Sequence, residues 1–232
     1  MKKSIIVLLA VLTAGFATKI RAEDQKQLEP FHSIIVSSEI EAELILSKNE
    51  AIEMDFENAS PEDMIIEIAD SVLKVRMKTG NYKDASLKVR IHYNKDLRML
   101  EAGGRAIIWS EEDLYFEKDL AVKLFNGGEM RLRLNCDSLN ASLTQGSVIH
   151  LEGKTRALTL KVNTGATFSG YKFESMTADV NAIGGGKAKI SVRQSLKANA
   201  SAKGFIGYIG EPTKLDKKTS LKGEIIKTFL EE

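Results

Sequence analysis

The chain has 232 residues, and its 33 Lys and Arg against 32 Asp and Glu give a formal net charge of +1. Proteins that bind DNA or RNA need a basic surface that neutralises phosphates, and no run of Lys or Arg supplies one here. The only cysteine is Cys136, which excludes an intrachain disulfide, so packing must stabilise the fold. Composition therefore argues against a nucleic-acid partner and against a small disulfide-rich domain.

Residues 1–22 have the pattern of an export signal. Lys2 and Lys3 precede an apolar run from Ile5 to Ala17, and small residues near Ala17 and Ala22 offer cleavage points. The run is short for a membrane span, and no cysteine follows it as an acceptor for a lipid anchor. Its removal takes away four cations and leaves 29 Lys and Arg against 32 Asp and Glu, a net charge of −3. We expect an exported protein that does not span the membrane after cleavage, in the periplasm, on the outer surface or secreted; an uncleaved amphiphilic anchor is the alternative.

Residues 23–95 predict a strand-rich N-terminal cap that continues into the rest of the domain. Apolar and charged residues alternate there, as in Ile40-Glu-Ala-Glu-Leu44, which predicts strands with one buried and one solvated face. Stretches with turn chemistry, such as Thr79-Gly-Asn81, separate these strands. The pattern favours a run of antiparallel hairpins that covers the end of the following coils, an edge otherwise open to other chains. No helix is predicted.

Residues 96–226 contain a repeat of about 20 residues. Each copy opens with a phrase whose first, third and fifth residues are apolar, reaches a glycine seven or eight residues later, and continues with a second alternating segment. The phrases, after a fainter forerunner at Leu97, are Leu120-Ala-Val-Lys-Leu, Leu139-Asn-Ala-Ser-Leu, Leu158-Thr-Leu-Lys-Val, Met176-Thr-Ala-Asp-Val and Leu196-Lys-Ala-Asn-Ala. Two strands and a tight turn cannot form a core alone, so the copies must stack. The residues thus predict an all-β solenoid whose core is lined by positions one, three and five, followed by a tail at 227–232.

The predicted core narrows toward the last copy, where Ala198 and Ala200 replace the larger side chains of earlier phrases. We therefore expect a less stable C-terminal end, closed by Phe205, Tyr208 and the segment Leu221–Phe229.

Three features that are typical of chemical sites have simpler explanations. The triplet Gly184-Gly-Gly186 lacks the Lys-Ser/Thr and the helix of a phosphate-binding loop, and a sharp corner favours residues that tolerate positive φ. Cys136 is most simply a small core residue, since a reactive thiol needs a partner His and only His150 is close in sequence. The three histidines have no ligand spacing, so no metal site is predicted.

Several segments resemble one bacterial family. The opening Phe31-His-Ser-Ile34-Ile-Val36, the segment Val89-Arg-Ile91-His-Tyr93 with Ala102-Gly-Gly104 after it, and the ending Tyr208-Ile-Gly210-Glu-Pro212 are similar to the putative auto-transporter adhesin family known as the head GIN domain. The resemblance spans about residues 31–226. It implies a single-stranded, right-handed parallel β-helix like the pectin-lyase solenoids, in secreted or surface-exposed proteins of Bacteroidetes-like bacteria, with no catalytic set and a proposed role in adhesion. The corners depart from the family, as in Asn126-Gly127-Gly128, so a ligand site located there is not carried over.

An enzymatic function is the alternative. β-Helix lyases and hydrolases present carboxylate pairs, or a calcium-bound acid with Lys or Arg, on an outward strand face. At the outward positions of the five phrases Asp179 is the only acid, and an isolated acid lacks the partner that general acid–base chemistry needs. The sequence therefore predicts no catalytic residue and no cofactor, and leaves open a carbohydrate-active enzyme that completes its site across an oligomer interface.

For binding, the candidate contact residues are Trp109, Tyr115 and Phe116, which lie with three acids in the long first connection. Aromatic faces near acids suit sugars or proteins, and long connections carry function more often than coils do; alternatively the rings pack the junction between cap and coils. We expect an exported, non-enzymatic adhesion or scaffold module that contacts glycan or another envelope component. A signalling partner at the envelope is a third hypothesis, and the sequence leaves self-association open.

Overall fold

The computed structural model describes residues 25–229, so the predicted export signal and residues 230–232 of the predicted tail lie outside the described range. The described residues form strands and one short 3-10 turn (Pro61–Asp63), with no α-helix among them. The strands are β1 (Gln25–Gln27), β2 (Ser33–Val36), β3 (Glu41–Leu46), β4 (Ala51–Glu57), β5 (Met64–Ala69), β6 (Val72–Met77), β7 (Ser86–Tyr93), β8 (Met99–Ala102), β9 (Ile107–Leu124), β10 (Glu129–Leu143), β11 (Val148–Asn163), β12 (Thr167–Ile183), β13 (Lys187–Ser201), β14 (Phe205–Ile209), β15 (Lys214–Thr219) and β16 (Glu224–Lys227).

Each of the long strands β9 to β13 makes one coil. Neighbouring coils pair in parallel along most of their length, so Glu129 in β10 lies opposite Val148 in β11 and Leu143 lies opposite Val162. The N-terminal halves of strands β9 to β13 form a first sheet with β3, β14 and β16. Their C-terminal halves, which contain the repeated phrases, form a second sheet with β2, β8 and β15. This is the predicted parallel β-helix, a solenoid of about seven turns.

Apolar side chains stack from coil to coil in the core, as predicted. Leu139, Leu158 and Leu196 are buried and occupy one column, with Ala178 between the last two. The fourth phrase was placed two residues early, since Ala178 rather than Met176 faces Leu158. An extra residue at the bend of β12, between Ser169 and Phe173, accounts for one of the two residues, because it raises the offset between β11 and β12 from 19 to 20, whereas the prediction used 18.

Each coil turns through two consecutive residues in the left-handed region. From the corner before β9 onward, the pairs are Gly104–Arg105, Asn126–Gly127, Gln145–Gly146, Thr164–Gly165, Gly184–Gly185, Ala202–Lys203 and Leu221–Lys222. Corner geometry therefore explains the glycine triplet, which leads into strand β13 and not into a helix.

The N-terminal region corrects the expected run of antiparallel hairpins. β2 pairs in parallel with β6 and β8, and β3 pairs in parallel with β7 and β9. Antiparallel pairing is confined to β1 on β4, β4 on β7, and the one hairpin β5–β6. Alternation of apolar and charged residues reports which face is buried but not strand direction, so the sequence did not separate the two arrangements. The division at residue 95 stays a prediction.

The C-terminal closure is correct only in part. Tyr208 is buried and Phe205 is half-buried, but Leu221 is 76% exposed and Phe229 is 81% exposed. All six residues of β15 are exposed. No further coil follows in the described residues to cover these side chains.

Candidate functional site

The segment that carries the candidate aromatic residues is a bulged strand and not a loop. Trp109 in β9 lies opposite Arg131, whereas Asp113 lies opposite Arg133, so β9 contains two extra residues between these pairs. A second irregularity follows Phe116. Charged residues are depleted in strands, and for this reason the acids near Asp113 favoured a loop in the sequence. Bulges re-aim the side chains that follow them.

Ser110 anchors the first bulge. It is buried, its hydroxyl oxygen accepts the N–H of Glu112 at 3.2 Å, and it lies within donating distance of two carbonyl oxygens, 3.2 Å from that of Leu44 and 3.1 Å from that of Glu112. The bulge is therefore tied to β3 of the N-terminal region.

A cleft of about 370 Å³ lies beside this bulge, at the junction between the N-terminal region and the first long coil. Its buried lining is apolar or aromatic and consists of Tyr93, Leu97 and Phe116. Its exposed lining consists of Leu46, Lys95, Asp96, Arg98, Asp113, Tyr115 and Lys118. Tyr115 is 69% exposed, which is unusual for a large aromatic residue.

The charges at the cleft are partly paired. Arg98 donates to Asp96 at 2.6 Å, and the Lys118 ammonium lies 3.7 Å from the same carboxylate. The hydrogen bond from Arg98 is the main reason that the pKa of Asp96 is lowered. Arg133, from the next coil, donates to Asp113 at 2.6 Å. Lys95 is exposed and takes part in none of the ion pairs formed by the side chains that the structure describes.

Burial raises the pKa of Tyr93 to about 12, and the negative charge of Glu112 adds to the effect. The phenol of Tyr93 is therefore neutral at physiological pH and is neither a base nor a nucleophile there.

The three candidate residues do not form one cluster. Tyr115 and Phe116 both line the cleft, Tyr115 from the surface and Phe116 from the interior. Trp109 is half-buried on the first sheet, in register between Glu43 and Arg131, and does not line the cleft. The sequence missed Lys95, Arg98 and Lys118, because charged residues in turns and strands are ordinary until the fold places them around one depression.

Sequence reasoning also missed a charged cluster on the outer face of the first sheet. Arg90 in β7 lies in register between Glu43 and Glu53, and donates to Glu53 at 2.5 Å. His92 lies 3.0 Å from the other oxygen of Glu53. Burial raises the pKa of Glu43, and the nearby Glu111 raises it further. Because the guanidinium joins the carboxylates across three strands, this cluster is an ion-pair network that ties β3, β4 and β7 together.

The other residues that the sequence singled out lie outside the cleft. Asp179 accepts a hydrogen bond of 2.9 Å from Lys197, its exposed neighbour on the next coil. Cys136 is buried, with its sulfur 3.6 Å from the Thr155 hydroxyl, and burial raises the pKa of the thiol to about 11. His150 is exposed and lies opposite Arg131 on the first sheet.

In the described part of the chain, no three His, Cys, Asp or Glu side chains are grouped to hold a metal ion. Residues 25–229 also contain no helix long and apolar enough to cross a membrane.

The stacked coils place the chain among single-chain parallel β-solenoids. The sequence profile of the family described as "Putative auto-transporter adhesin, head GIN domain" matches residues 30–212. The chain therefore belongs to this family, which confirms the resemblance found in the sequence.

Solved structures from two genera have the same fold. A putative adhesin from Bacteroides fragilis NCTC 9343 is similar with a TM-score of 0.74 at 16% identity, over 88% of this chain and 95% of the other. A putative adhesin from Parabacteroides merdae ATCC 43184 gives 0.66 at 19% identity, and a putative lipid binding protein from Parabacteroides distasonis ATCC 8503 gives 0.67 at 18%, both with the same coverage. No curated protein matches the sequence. At these identities the likeness concerns the fold.

Proposed function

We propose that the protein is an exported, non-enzymatic adhesion module that binds glycan of the cell envelope in the cleft at the junction of cap and coils. The observation that carries this proposal is the exposed ring of Tyr115 beside an apolar lining, with ammonium, guanidinium and carboxylate groups around it. Sugar rings have apolar faces that stack on aromatic side chains, and hydroxyl groups that bond to charged side chains.

Family membership supports the adhesive part of the proposal, and the residues support its non-enzymatic part. A glycosidase needs two carboxyl groups that flank the scissile bond. Asp96 and Asp113, the acids of the cleft, each accept a hydrogen bond from an arginine, and the lowered pKa of Asp96 makes it a poor proton donor at neutral pH.

Lipid is the competing ligand, because one structural neighbour is described as a putative lipid binding protein. The cleft of this chain has four charged side chains on its rim besides Lys95 and only a small buried lining of three residues. A single acyl chain would leave those charges desolvated or unused, so the chemistry of the cleft favours a polar ring.

The test is binding of the purified protein to a glycan array and to polysaccharide extracted from bacterial envelopes. Tyr115→Ala should weaken binding by about tenfold or more, as for removal of an aromatic anchor, while Tyr115→Phe keeps the ring and most of the affinity. Phe229→Ala is the matched control, since it removes another exposed aromatic ring at the far end of the solenoid.

Three outcomes would overturn the proposal. One is binding to phospholipid vesicles without binding to glycan, and another is unchanged glycan affinity in Tyr115→Ala. The third is the release of reducing or unsaturated ends from the polysaccharide, which would show the alternative, a carbohydrate-active enzyme.

A further inference from the structure

The N-terminal end of the solenoid carries unpaired negative charge. Residues 50–71 contain eight acids and no Lys, Arg or His. Five of the acids are exposed and take part in no ion pair within residues 25–229, namely Asp55, Glu57, Glu62, Glu67 and Asp70. Asp55 and Glu57 lie on β4, and Glu67 lies on β5. Glu62 is in the 3-10 turn before β5, and Asp70 is in the turn between β5 and β6.

The C-terminal end carries the opposite charge. Residues 212–223 contain four lysines and one acid, Asp216. Lys214, Lys217, Lys218 and Lys222 are all exposed, and none of them forms an ion pair in the described part of the chain.

Between the two ends, by contrast, charges are paired from one coil to the next. The pairs that join adjacent coils are Arg133–Asp113, Arg156–Asp137, Lys172–Glu152, Arg193–Glu174 and Lys197–Asp179. Five ion pairs therefore link neighbouring coils along the solenoid, whereas the acids of residues 50–71 and the lysines of residues 212–223 described above have no neighbouring coil to pair with.

The backbone is also unpaired at these ends. Within residues 25–229, β15 and β16 each pair with one strand only, as do β1 and β5 at the other end. Such edges are templates for another chain. Leu215, Leu221, Ile226 and Phe229 are exposed at the C-terminal edge.

We infer that the C-terminal end of one molecule docks on the N-terminal end of a second copy, so that β15 and β16 meet the edge formed by β1, by the part of β4 that β1 leaves open (residues 54–57) and by β5. The lysines then face the carboxylates, and the exposed apolar side chains become covered. A contact between two C-terminal ends would instead oppose lysine to lysine. Because the docking joins two different surfaces that lie at opposite ends of the solenoid, it repeats from molecule to molecule and produces a linear rod. This inference is independent of the cleft, which lies on the side of the solenoid.

The test is sedimentation velocity of the purified processed protein over a range of concentrations. We expect species larger than a dimer at low ionic strength, with association weakened about tenfold or more when salt is raised from about 50 mM to about 500 mM. Reversal of charge at the C-terminal end (Lys217→Glu with Lys218→Glu) should abolish association, and so should reversal at the N-terminal end (Glu62→Lys with Glu67→Lys). The four changes combined in one chain should restore it.

A matched control is Lys154→Glu with Lys161→Glu, which makes the same change in net charge at two exposed lysines of a middle coil and should leave association unchanged. A protein that is monomeric at every concentration would overturn the inference. So would sensitivity to reversal at the C-terminal end alone, which would indicate contact between two C-terminal ends. Tyr115→Ala should assemble normally, so failure of the cleft proposal and failure of this one are distinguishable.

Discussion

Gly153→Ala is the substitution that most sharply tests the packing of the coils. Gly153 has a φ of +112°, and an added Cβ would lie 2.2 Å from the carbonyl oxygen of Leu134 in the preceding coil. That oxygen belongs to the β10–β11 pairing, in which Leu134 lies opposite Gly153. An ordinary contact would need a separation greater by more than 1 Å, so the two coils must move apart or the backbone of β11 at residue 153 must change its conformation. We expect a loss of at least about 3 kcal/mol of unfolding free energy, as for severe overpacking.

Gly146→Ala provides the control. Gly146 is also left-handed, with a φ of +70°, but an added Cβ has nothing within 4 Å. Its cost should be confined to the backbone and amount to about 1 kcal/mol. Urea unfolding followed by far-UV circular dichroism measures both losses from the midpoint and slope. Equal losses in the two variants would refute the reasoning, whereas a Gly153→Ala chain that fails to fold beside a stable Gly146→Ala chain would agree with it.

Three further predictions concern titration and turn geometry. Burial raises the pKa of Cys136 from 9.0 to about 11, so at pH 8 a thiol reagent should label the native protein at least about a hundredfold more slowly than the urea-unfolded chain; rapid labelling of the native protein would contradict this. The pKa of Glu43 is raised, so the folded state holds this proton more tightly than the unfolded state, and stability is lost as pH rises through the ordinary range toward the raised value. Glu43→Gln should therefore increase the unfolding free energy at pH 7 but not at about pH 3, where both states are protonated, and a decrease at pH 7 would show that pairing with Arg90 outweighs burial. Lys203 has a φ of +64° at a turn position that four other coils fill with glycine, so Lys203→Gly should stabilise the protein by about 0.5–1 kcal/mol in urea unfolding, and a loss would argue against this turn geometry.

The solenoid could be predicted because the residues that repeat have a purely structural role, either in the core or at a corner. Leu139 and Leu158 must face the core in any stacked arrangement, and the two-residue corners require glycine or a residue that tolerates positive φ. The register of β12 against β11 was harder to predict from the sequence. Ala178 occupies the place predicted for Met176, and the extra residue at the bend of β12 accounts for one residue of this shift, since a bulge leaves no mark in the alternation on either side of it.

The candidate site was accessible only in part, since it depends on contacts between distant segments. Tyr115 and Phe116 stand out in the sequence as aromatic residues next to acids. Their partners Lys95 and Arg98 come from a turn near the end of the cap, and only the register of β3 and β8 with β9 brings that turn to the bulge. Trp109 is close to Tyr115 in sequence but does not line the cleft, because the bulge of two extra residues lies between them.

Hydrogen exchange in the presence of envelope polysaccharide tests the central claim most directly, because it locates the bound ligand on the chain. We predict slower amide exchange at residues 93–98 and 113–118, the two segments that line the cleft, and no such protection in Tyr115→Ala. Protection confined to the outer faces of β12 and β13, or no protection at a polysaccharide concentration that saturates binding, would contradict the assignment of the cleft as the binding site.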